Sequence, residues 1–454
     1  MRTLKVYKGC ENRANIKGGA TMKEHSLLQK NRQLRLLLAF AILLVFGIFL
    51  SPTKAEAVEW AEDVLGYGHE NTYYVTNIEE LNEVFGGNHL IDGQTLILQS
   101  DVELDYCILI DYFAGNSCII DLNGKTIKTS APYFLELGFA LEPRTDYVQL
   151  IGEGKIVSIS DNGIALFWDL DREYQLILSG NITYRTAGWQ IFDEFNFLTI
   201  EDGTFELVEN INGEEVIGGT IYLGDFEYGG DWGNVTITGG RFYNDICFLT
   251  RGCTISGGIF DKDISIPVGT SVISGGIMKD SLWIGATATI KENAYIRNGL
   301  SIGEGATCTI KGGYIGGKKY AIYILSDGEN PDQDYVTLNI TGGTIESRSK
   351  NGYGIYCEGT PPCRVTIKNC TIRSKNGNGK SAIYLKDAQS VKLKADAGKK
   401  TLIKGFKYGL VDKNGGSVRI DKKAVVKASL TKKKYTSKDK LGKTIKGNLT
   451  IYSE

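Results

Sequence analysis

A short pattern recurs through the middle of the chain: a β-branched residue, an isoleucine, a spacer, two turn residues, a second spacer and a bulky apolar residue. The strand segments of its eight copies begin at Leu198, Val235, Cys253, Ser271, Ala288, Cys308, Leu338 and Val365. Where the copies are closest, their second turn residues stand 17 to 20 positions apart. A motif that returns at such short steps indicates a solenoid in which each repeat forms one coil.

The residues before each turn alternate with the period of a β-strand. The isoleucine and the residue two positions before it therefore share a face, and we expect that face to line the interior. The Gly-Gly, Asp-Gly or similar pair that follows lets the chain adopt a positive φ at the corner. Looser copies precede residue 198 and continue to about residue 420. The sequence thus predicts roughly a dozen coils, which together bury a core that no single coil could bury.

On this motif the chain resembles the right-handed parallel β-helix proteins, the superfamily of pectate lyases and of many bacterial surface repeat proteins. The resemblance covers nearly all of the chain after its leader. It implies an all-β fold, a single-stranded right-handed parallel β-helix solenoid. It implies no single function, because that architecture carries lyases, hydrolases, adhesins and passive stalks.

The first residues have the pattern of a secretory signal peptide. An apolar run from Leu36 to Leu50 follows a basic stretch and precedes an Ala-x-Ala site, so we expect cleavage between Ala57 and Val58. Met22 is the more natural start, because the residues before it make the leader unusually long. A secreted or cell-surface location follows, with no stable membrane span after processing, since the apolar run is short for a membrane-spanning helix.

The predicted domains follow from these limits. They are residues 1–57 as signal peptide, 58–95 as an N-terminal cap with a short helix, 96–420 as the β-helix, and 421–454 as a basic C-terminal cap or tail. In the cap, Thr76-Asn77-Ile78-Glu79 is a capping box that predicts a helix from Ile78 to Phe85. Such a helix would cover the open edge of the first coil, which could otherwise pair with another chain.

Cysteine use does not define a disulfide framework. Eight cysteines follow the leader, at positions 107, 118, 247, 253, 308, 357, 363 and 370. Several occupy inferred interior positions, which favours buried thiols, and the two candidate disulfides are Cys247–Cys253 and Cys357–Cys363. No cysteine pair has the spacing of a zinc site.

Charge is distributed unevenly along the chain. Residues 58–350 contain 43 acidic and 17 basic residues, whereas residues 351–454 contain 7 acidic and 24 basic residues. For a secreted protein, the basic end favours an anionic cell-wall polymer, an acidic polysaccharide or an anionic membrane surface over nucleic acid. The alternative is a solvated cap that keeps this end of the solenoid soluble. The oligomeric state does not follow from the sequence.

A second motif, Ile-Tyr followed shortly by a carboxylate, occurs in the longer coils. If the isoleucine faces inward, the tyrosine faces outward, so the tyrosines of successive coils are expected to stack on one sheet. These tyrosines are Tyr323, Tyr356 and Tyr384, and the carboxylates beside them are Asp327, Glu358 and Asp387. Aromatic rings edged by carboxylates suit sugar binding, and Trp232 lies in a second loop of this composition. The alternative is a purely structural aromatic stack.

Residues for metal binding and catalysis are sparse. The loop containing Asp327, Asp332 and Asp334 is a candidate calcium site, with a solvated turn as the alternative, and no other cofactor is indicated. Both histidines after the leader precede the coils, and the Gly-His-Gly and Arg-Ile-Lys strings of polygalacturonase-like members of the superfamily are absent.

The nearest catalytic assembly is a group of charged residues on early coils: Asp169, Asp171, Arg172, Arg185 and Asp193. Phe167-Trp168-Asp169 and Ile191-Phe192-Asp193 look equivalent, which would stack two carboxylates about 5 Å apart. Such a pair would suit acid–base chemistry or cation binding.

Together these observations predict a secreted bacterial β-helix repeat protein that is not an enzyme and that binds a glycan or cell-wall polymer at the cell surface. The alternative is a polysaccharide lyase or glycoside hydrolase that acts on an acidic polysaccharide.

Overall fold

The computed structural model describes the chain from Thr72 onward, with gaps. The described residues are 72–81, 94–110, 117–137, 147–159, 165–169, 175–193, 195, 197–211, 214–224, 233–326, 335–349, 351–359, 363–374, 381–385, 388–405, 408–412, 417–420, 424–428, 434–436, 444–445 and 449–452. The predicted signal peptide, with Met22, Ala57 and Val58, lies outside them. The chain divides into two compact units, Met1–Tyr73 and Tyr74–Glu454.

The described residues are almost entirely β-strands. The first strands in chain order are β1 (Thr72–Val75), β2 (Gln94–Leu98), β3 (Val102–Leu104), β4 (Ile108–Ile110), β5 (Ser117–Asp121), β6 (Lys125–Thr129), β7 (Leu135–Leu137), β8 (Tyr147–Ile151), β9 (Glu153–Ser158), β10 (Phe167–Asp169), β11 (Gln175–Leu178), β12 (Asn181–Thr186), β13 (Phe192–Asp193), β14 (Phe197–Ile200), β15 (Thr204–Ile211) and β16 (Glu214–Ile217). The next are β17 (Thr220–Gly224), β18 (Asn234–Ile237), β19 (Arg241–Phe242), β20 (Asp245–Leu249), β21 (Gly252–Ile255), β22 (Ile259–Phe260), β23 (Ile264–Ile266), β24 (Thr270–Ile273), β25 (Ile277–Met278), β26 (Leu282–Ile284), β27 (Thr287–Ile290), β28 (Tyr295–Ile296), β29 (Leu300–Ile302), β30 (Thr307–Ile310) and β31 (Tyr314–Gly317). The last are β32 (Tyr320–Ser326), β33 (Thr337–Ile340), β34 (Thr344–Ser347), β35 (Tyr353–Gly359), β36 (Cys363–Lys368), β37 (Thr371–Ser374), β38 (Ser381–Leu385), β39 (Ala388–Lys394), β40 (Thr401–Gly405), β41 (Tyr408–Asp412), β42 (Ser417–Ile420), β43 (Ala424–Ala428), β44 (Lys434–Thr436), β45 (Thr444–Ile445) and β46 (Leu449–Tyr452).

Successive strands join the sheets in a fixed order, so that each turn of the chain adds one strand to each of three sides. The first sheet has the order β1-β2-β5-β8-β11-β14-β18-β21-β24-β27-β30-β33-β36-β39-β42-β45. The second has the order β3-β6-β9-β12-β15-β19-β22-β25-β28-β31-β34-β37-β40-β43-β44, with β16 paired to β15 in an antiparallel hairpin. The third side of each coil belongs first to a four-stranded sheet, β4-β7-β10-β13, and then to a ten-stranded sheet, β17-β20-β23-β26-β29-β32-β35-β38-β41-β46.

This order describes stacked coils of three strands each. The residues of the described ranges form thirteen complete coils, from β2–β4 to β39–β41, and two strands of a further coil. Within each sheet, strands of successive coils pair in parallel, as β18, β21 and β24 do. The predicted all-β architecture of stacked parallel strands is confirmed, and it is consistent with a parallel β-helix.

The isoleucines of the repeat form one continuous interior file on the first sheet. Ile237 pairs with Ile255, which pairs with Ile273, and each side chain is fully buried. The file contains Leu96, Ile120, Leu150, Leu178, Ile200, Ile237, Ile255, Ile273, Ile290, Ile310, Ile340, Ile367 and Leu393 in register. Because every member adds about 25 cal/mol per Å² of apolar surface removed from water, the file stabilises the stack along its length.

The two glycines of the repeat turn are required for different reasons. A Cβ at Gly257 would collide with the carbonyl oxygen of Thr238 on the preceding coil, so the coils can approach only without a side chain there. Gly258 has φ +87°, a left-handed conformation that side chains other than glycine rarely adopt. In the Asn-Cys copy, Asn369 takes the left-handed conformation instead, with φ +54°. The turn prediction is therefore confirmed at the glycine copies.

Four aromatic rings stack on the inner face of the second sheet. Tyr184, Phe205, Phe242 and Phe260 belong to four successive coils, and none of their side chains is exposed by more than 1%. Their ring centroids lie 4.9, 4.6 and 5.0 Å apart and their planes differ by 11° or less. We call this group the interior stack. It is the in-register packing that parallel coils impose on equivalent side chains.

The short helix before the coils begins at Ile78 as predicted, but its N-cap lies one residue later than the capping box places it. The N-cap is Asn77, whose side-chain oxygen accepts a hydrogen bond from the Glu80 N–H at 2.9 Å. The reciprocal carboxylate is that of Glu80 rather than Glu79, and it accepts from the Thr76 N–H at 2.6 Å. This hydrogen bond lowers the pKa of Glu80. The helix is described from Ile78 to Leu81; its predicted continuation to Phe85 lies outside the described residues.

The strands after β43 reverse direction. β44 pairs antiparallel with β43, β45 with β42, and β46 with β41, so this segment turns back over the last strand of each of three sheets. The basic segment predicted as a cap or tail, residues 421–454, contains these strands.

Candidate functional site

The predicted tyrosines lie in register on the outer surface of the ten-stranded sheet. Tyr323 on β32 pairs with Tyr356 on β35, which pairs with Tyr384 on β38. Their neighbours Ile322, Ile355 and Ile383 are fully buried, whereas the three tyrosines are half-buried. The alternation of the strand therefore turns the phenol rings outward, as the Ile-Tyr motif predicts.

Two further tyrosines complete the cluster. Tyr320 pairs with Tyr353 three positions before the predicted tyrosines, and its ring lies 5.0 Å from that of Tyr323 and 4.6 Å from that of Tyr356. Tyr353 lies 4.9 Å from Tyr356 and 5.4 Å from Tyr384. We call these five residues, Tyr320, Tyr323, Tyr353, Tyr356 and Tyr384, the tyrosine face.

The rings of the tyrosine face pack against one another. Tyr356 is stacked on Tyr384 at 5.2 Å with 9° between the planes, and on Tyr320 at 4.6 Å with 27°. A sugar therefore cannot lie flat on the face of Tyr356, which is the contact that the motif by itself would predict. The rims and hydroxyl groups of the rings are what this surface offers to a ligand, and phenol hydroxyls both donate and accept hydrogen bonds.

A tryptophan lies on an earlier coil at the strand position that is in register with Tyr323. Trp283 on β26 is in register with Ser301, which is in register with Tyr323, and its side chain is half-buried. A Cβ on Gly285 or Gly303 would meet the indole ring, so the ring extends over two positions where the chain has no side chain. The indole thus lies along the coil surface two coils before Tyr323, about 10 Å away by the strand spacing of a sheet.

A cation also contacts the tyrosine face. The Nζ atom of Lys319 lies 4.8 Å from the centre of the Tyr320 ring, within the range of a cation–π interaction. Lys318 and Lys319 are both exposed, so they place positive charge at the edge of the aromatic surface.

Sequence reasoning missed three members of this surface. Tyr320 stands three residues before Tyr323, and strict alternation would put the two on opposite faces. Both Ala321 and Ile322 are buried, so alternation is interrupted at this corner and Tyr320 turns outward as well. The repeated string Tyr-x-Ile-Tyr at 320 and 353 was the available signal. Trp283 had no repeated string to identify it.

The carboxylates predicted to edge the tyrosines are only partly described. Glu358 lies on β35 opposite Leu325. Asp327 and Asp387 fall outside the described residues, as do Trp232 and the candidate calcium ligands Asp332 and Asp334.

The predicted pair of stacked carboxylates does not form. Phe167 pairs with Phe192, and Trp168 with Asp193, so the two strings align one residue away from the predicted match. A shift of one residue moves a side chain to the other face of a strand. Asp169 is therefore buried, level with Leu137, whereas Asp193 is half-buried on the outer surface beside Trp168.

The remaining members of that assembly do not join it in the described structure. Arg185 lies on β12 in the second sheet, where its Nη1 atom donates to Glu206 at 2.7 Å. Asp171 and Arg172 lie outside the described residues. Among the described residues, Asp169 and Asp193 therefore do not form the paired carboxylates on which the enzyme hypothesis depended.

The described residues contain no cluster of three or more histidine, cysteine or acidic side chains with the geometry of a metal site. Within the same part of the chain, no helix has the length and apolar character needed to cross a membrane. Comparisons with protein-family models, with curated proteins and with solved structures gave no match. Function must therefore be argued from the surface itself.

Proposed function

We propose that this chain is a secreted bacterial repeat protein, a right-handed parallel β-helix, that binds a glycan or cell-wall polymer without transforming it. The handedness is supported by the general rule that crossovers between parallel strands of one sheet are right-handed in about 98% of cases. Export is supported by the apolar run and Ala-x-Ala site of the leader. N-terminal sequencing of the exported protein should find Val58 first.

The observation that carries the binding proposal is the aromatic surface from Trp283 to Tyr384 on one side of the stack. Tyr323, Tyr356 and Tyr384 project from three successive coils of a sheet whose inner face is fully buried. Tyrosine and tryptophan side chains combine apolar area with a polar group, which is the composition suited to sugars. A file of them along parallel strands fits an extended polymer better than a compact ligand.

The basic residues at the C-terminal end of this surface favour an acidic polymer. Lys319 lies over Tyr320, and the chain beyond residue 350 contains 24 basic and 7 acidic residues. An anionic wall polymer or a uronic-acid polysaccharide would meet aromatic rims and lysine ammonium groups together. Since exposed charges are screened by salt, binding should weaken as ionic strength rises.

The test is retention on immobilised polysaccharides. The exported protein is passed over a uronic-acid polymer, an anionic wall polymer and a neutral glucan, and the retained fraction is measured at low and high salt. We expect Trp283→Ala and the double variant Tyr323→Ala/Tyr356→Ala to lose retention on the preferred polymer. Tyr295→Ala is the matched control, because Tyr295 is a 41% exposed tyrosine stacked on Tyr314 in the second sheet.

Two outcomes would overturn the proposal. If the variants on the ten-stranded sheet were retained as strongly as the wild type, this surface would not be the binding surface. If the polymers yielded unsaturated products or new reducing ends, the alternative of a polysaccharide lyase or glycoside hydrolase would replace the proposal. That alternative depended on Asp169 and Asp193 acting together, and the register separates them.

A further inference from the structure

Two buried cysteines lie in contact at the junction between two sheets. Cys357 is on β35 in the ten-stranded sheet, and Cys363 begins β36 in the first sheet. Both side chains are fully buried and belong to the apolar core. Their Sγ atoms are 2.8 Å apart.

This distance is shorter than an ordinary contact between two sulfur atoms. Non-bonded carbon atoms pack about 3.5–4.0 Å apart, and sulfur is the larger atom. A disulfide bond is about 2.05 Å long. The distance between the two sulfur atoms is therefore shorter than a non-bonded contact and longer than a disulfide bond. Only a small movement would bring them to bonding distance.

The other candidate pair has a different geometry. Cys247 is buried on β20 of the ten-stranded sheet, on the strand face opposite Ile246 and Phe248 and in register with Tyr222 and Ser265. Cys253 lies in the interior file of the first sheet, in register with Val235 and Ser271. Their side chains leave the backbone toward different sides of the coil wall. The sequence hypothesis of a Cys247–Cys253 disulfide is not supported by this arrangement.

The geometry points to a disulfide between Cys357 and Cys363 in the exported protein, a covalent closure of the loop that leaves the tyrosine face. Cys357 directly follows Tyr356, so the bond would anchor the end of the strand that carries this tyrosine. A metal ion held by both thiolates is the competing use of such a pair, but among the described residues no third histidine, cysteine or acidic ligand joins them.

The reaction is thiol–disulfide exchange with a low-molecular-weight disulfide or a disulfide oxidoreductase. The thiolate of one cysteine attacks the oxidant and expels its first thiol. The second thiolate then attacks the mixed disulfide and expels the second thiol. Two protein thiols are oxidised, one oxidant disulfide is reduced, and two thiol hydrogens pass to the products. Since both sulfurs are fully buried, closure should occur while the coil is forming rather than after folding.

Trypsin digestion offers a direct test, because one peptide contains both cysteines. Cleavage after Lys350 and Arg364 releases Asn351 to Arg364. The exported, full-length protein is unfolded in denaturant, alkylated without reductant, digested and weighed. We expect this peptide to be lighter by two hydrogens and to take up no alkyl group; after prior reduction it should take up two. The peptide Asn298 to Lys311, which contains only Cys308, is the internal control and should be alkylated in both samples.

A second measurement distinguishes a native bond from one made during handling. Protein refolded from the reduced state with glutathione disulfide should form the bond, and folded reduced protein given the same oxidant should form it far more slowly. Two alkyl groups on the Asn351–Arg364 peptide from the unreduced exported protein would overturn the inference. So would zinc bound in a one-to-one ratio and lost in the Cys357→Ala/Cys363→Ala variant but not in Cys308→Ala. Neither result depends on polysaccharide retention.

Discussion

The interior stack and the tyrosine face are built by the same repetition but obey different constraints. In the interior stack, neighbouring ring planes differ by 4° to 11°. In the tyrosine face, they differ by 9° to 59°. Packing on all sides aligns the buried rings, whereas in the tyrosine face four of the five rings are half-buried and only Tyr353 is buried. Stacked aromatic residues therefore do not by themselves indicate a binding site; what distinguishes the outer group is its access to solvent.

The two groups of rings also differ in how far folding alone accounts for them. The interior rings contribute to the core, since burial of an aromatic side chain removes a large apolar area from water. On earlier coils the same file holds both aromatic and small residues, in the order Tyr222, Cys247, Ser265, Trp283 and Ser301. Coils of the same architecture thus form with serine where other coils have tyrosine, which favours a role in binding for the aromatic surface.

The largest expected effect is on the interior stack. Phe242→Ala should lower the free energy of unfolding by about 3–5 kcal/mol, because the ring is fully buried between Phe205 and Phe260 and its removal leaves a cavity. Denaturant unfolding followed by circular dichroism measures the loss. A cost below about 1 kcal/mol would mean that the interior stack is loosely packed.

A smaller effect is expected on the outside. Tyr356→Ala should lower the free energy of unfolding by only about 1–2 kcal/mol, since it removes stacking contacts from a half-buried ring. The same denaturant series measures it beside Phe242→Ala. If the two substitutions cost the same, the tyrosine face is a structural element and the comparison between the two groups fails.

The smallest effect concerns the one hydroxyl in the interior stack. The Tyr184 hydroxyl is buried and has no hydrogen-bond partner among the described residues. Burial, together with the charge of Asp202, raises its pKa well above the ordinary value. An unsatisfied buried hydroxyl is destabilising, so Tyr184→Phe should raise the free energy of unfolding by about 1 kcal/mol near neutral pH. An unchanged or lower value would show that the hydroxyl is satisfied.

The pH dependence of this substitution follows from linkage. Above pH about 10 the tyrosine ionises in the unfolded chain but not in the folded protein, so the wild type loses stability there as pH rises. The Tyr184→Phe variant does not lose stability in this way. The difference in free energy of unfolding between the variant and the wild type should therefore grow as pH rises above about 10 and stay constant below it. Other tyrosines are common to both proteins and cancel in the difference.

The sequence predicts the interior more reliably than the surface. The isoleucine file follows from a period of two and a repeated turn, and both are local properties of the strand. The error at Asp169 and Asp193 arose because the two strings were matched by their final aspartates, whereas the phenylalanines Phe167 and Phe192 set the register. A similar error placed the N-cap of the helix one residue too early, because the adjacent residues Thr76 and Asn77 can both act as N-caps.

The sequence predicts some residues of the candidate surface and not others, because only some of them are placed by the local pattern of a strand. Tyr323, Tyr356 and Tyr384 follow from alternation within single strands. Tyr320 and Tyr353 depend on a corner where two consecutive residues are buried, and Trp283 depends on glycines of two different coils. Corners and contacts between coils are set by tertiary packing, which the local pattern of one sequence does not contain.

The reversed strands β44, β45 and β46 have a consequence for association. A coil adds to a stack by parallel pairing, and these three strands run opposite to the strands they cover. The first coil of another molecule would meet them in the wrong direction for the register that builds the stack. Head-to-tail growth into fibres is thus discouraged at this end by chain direction.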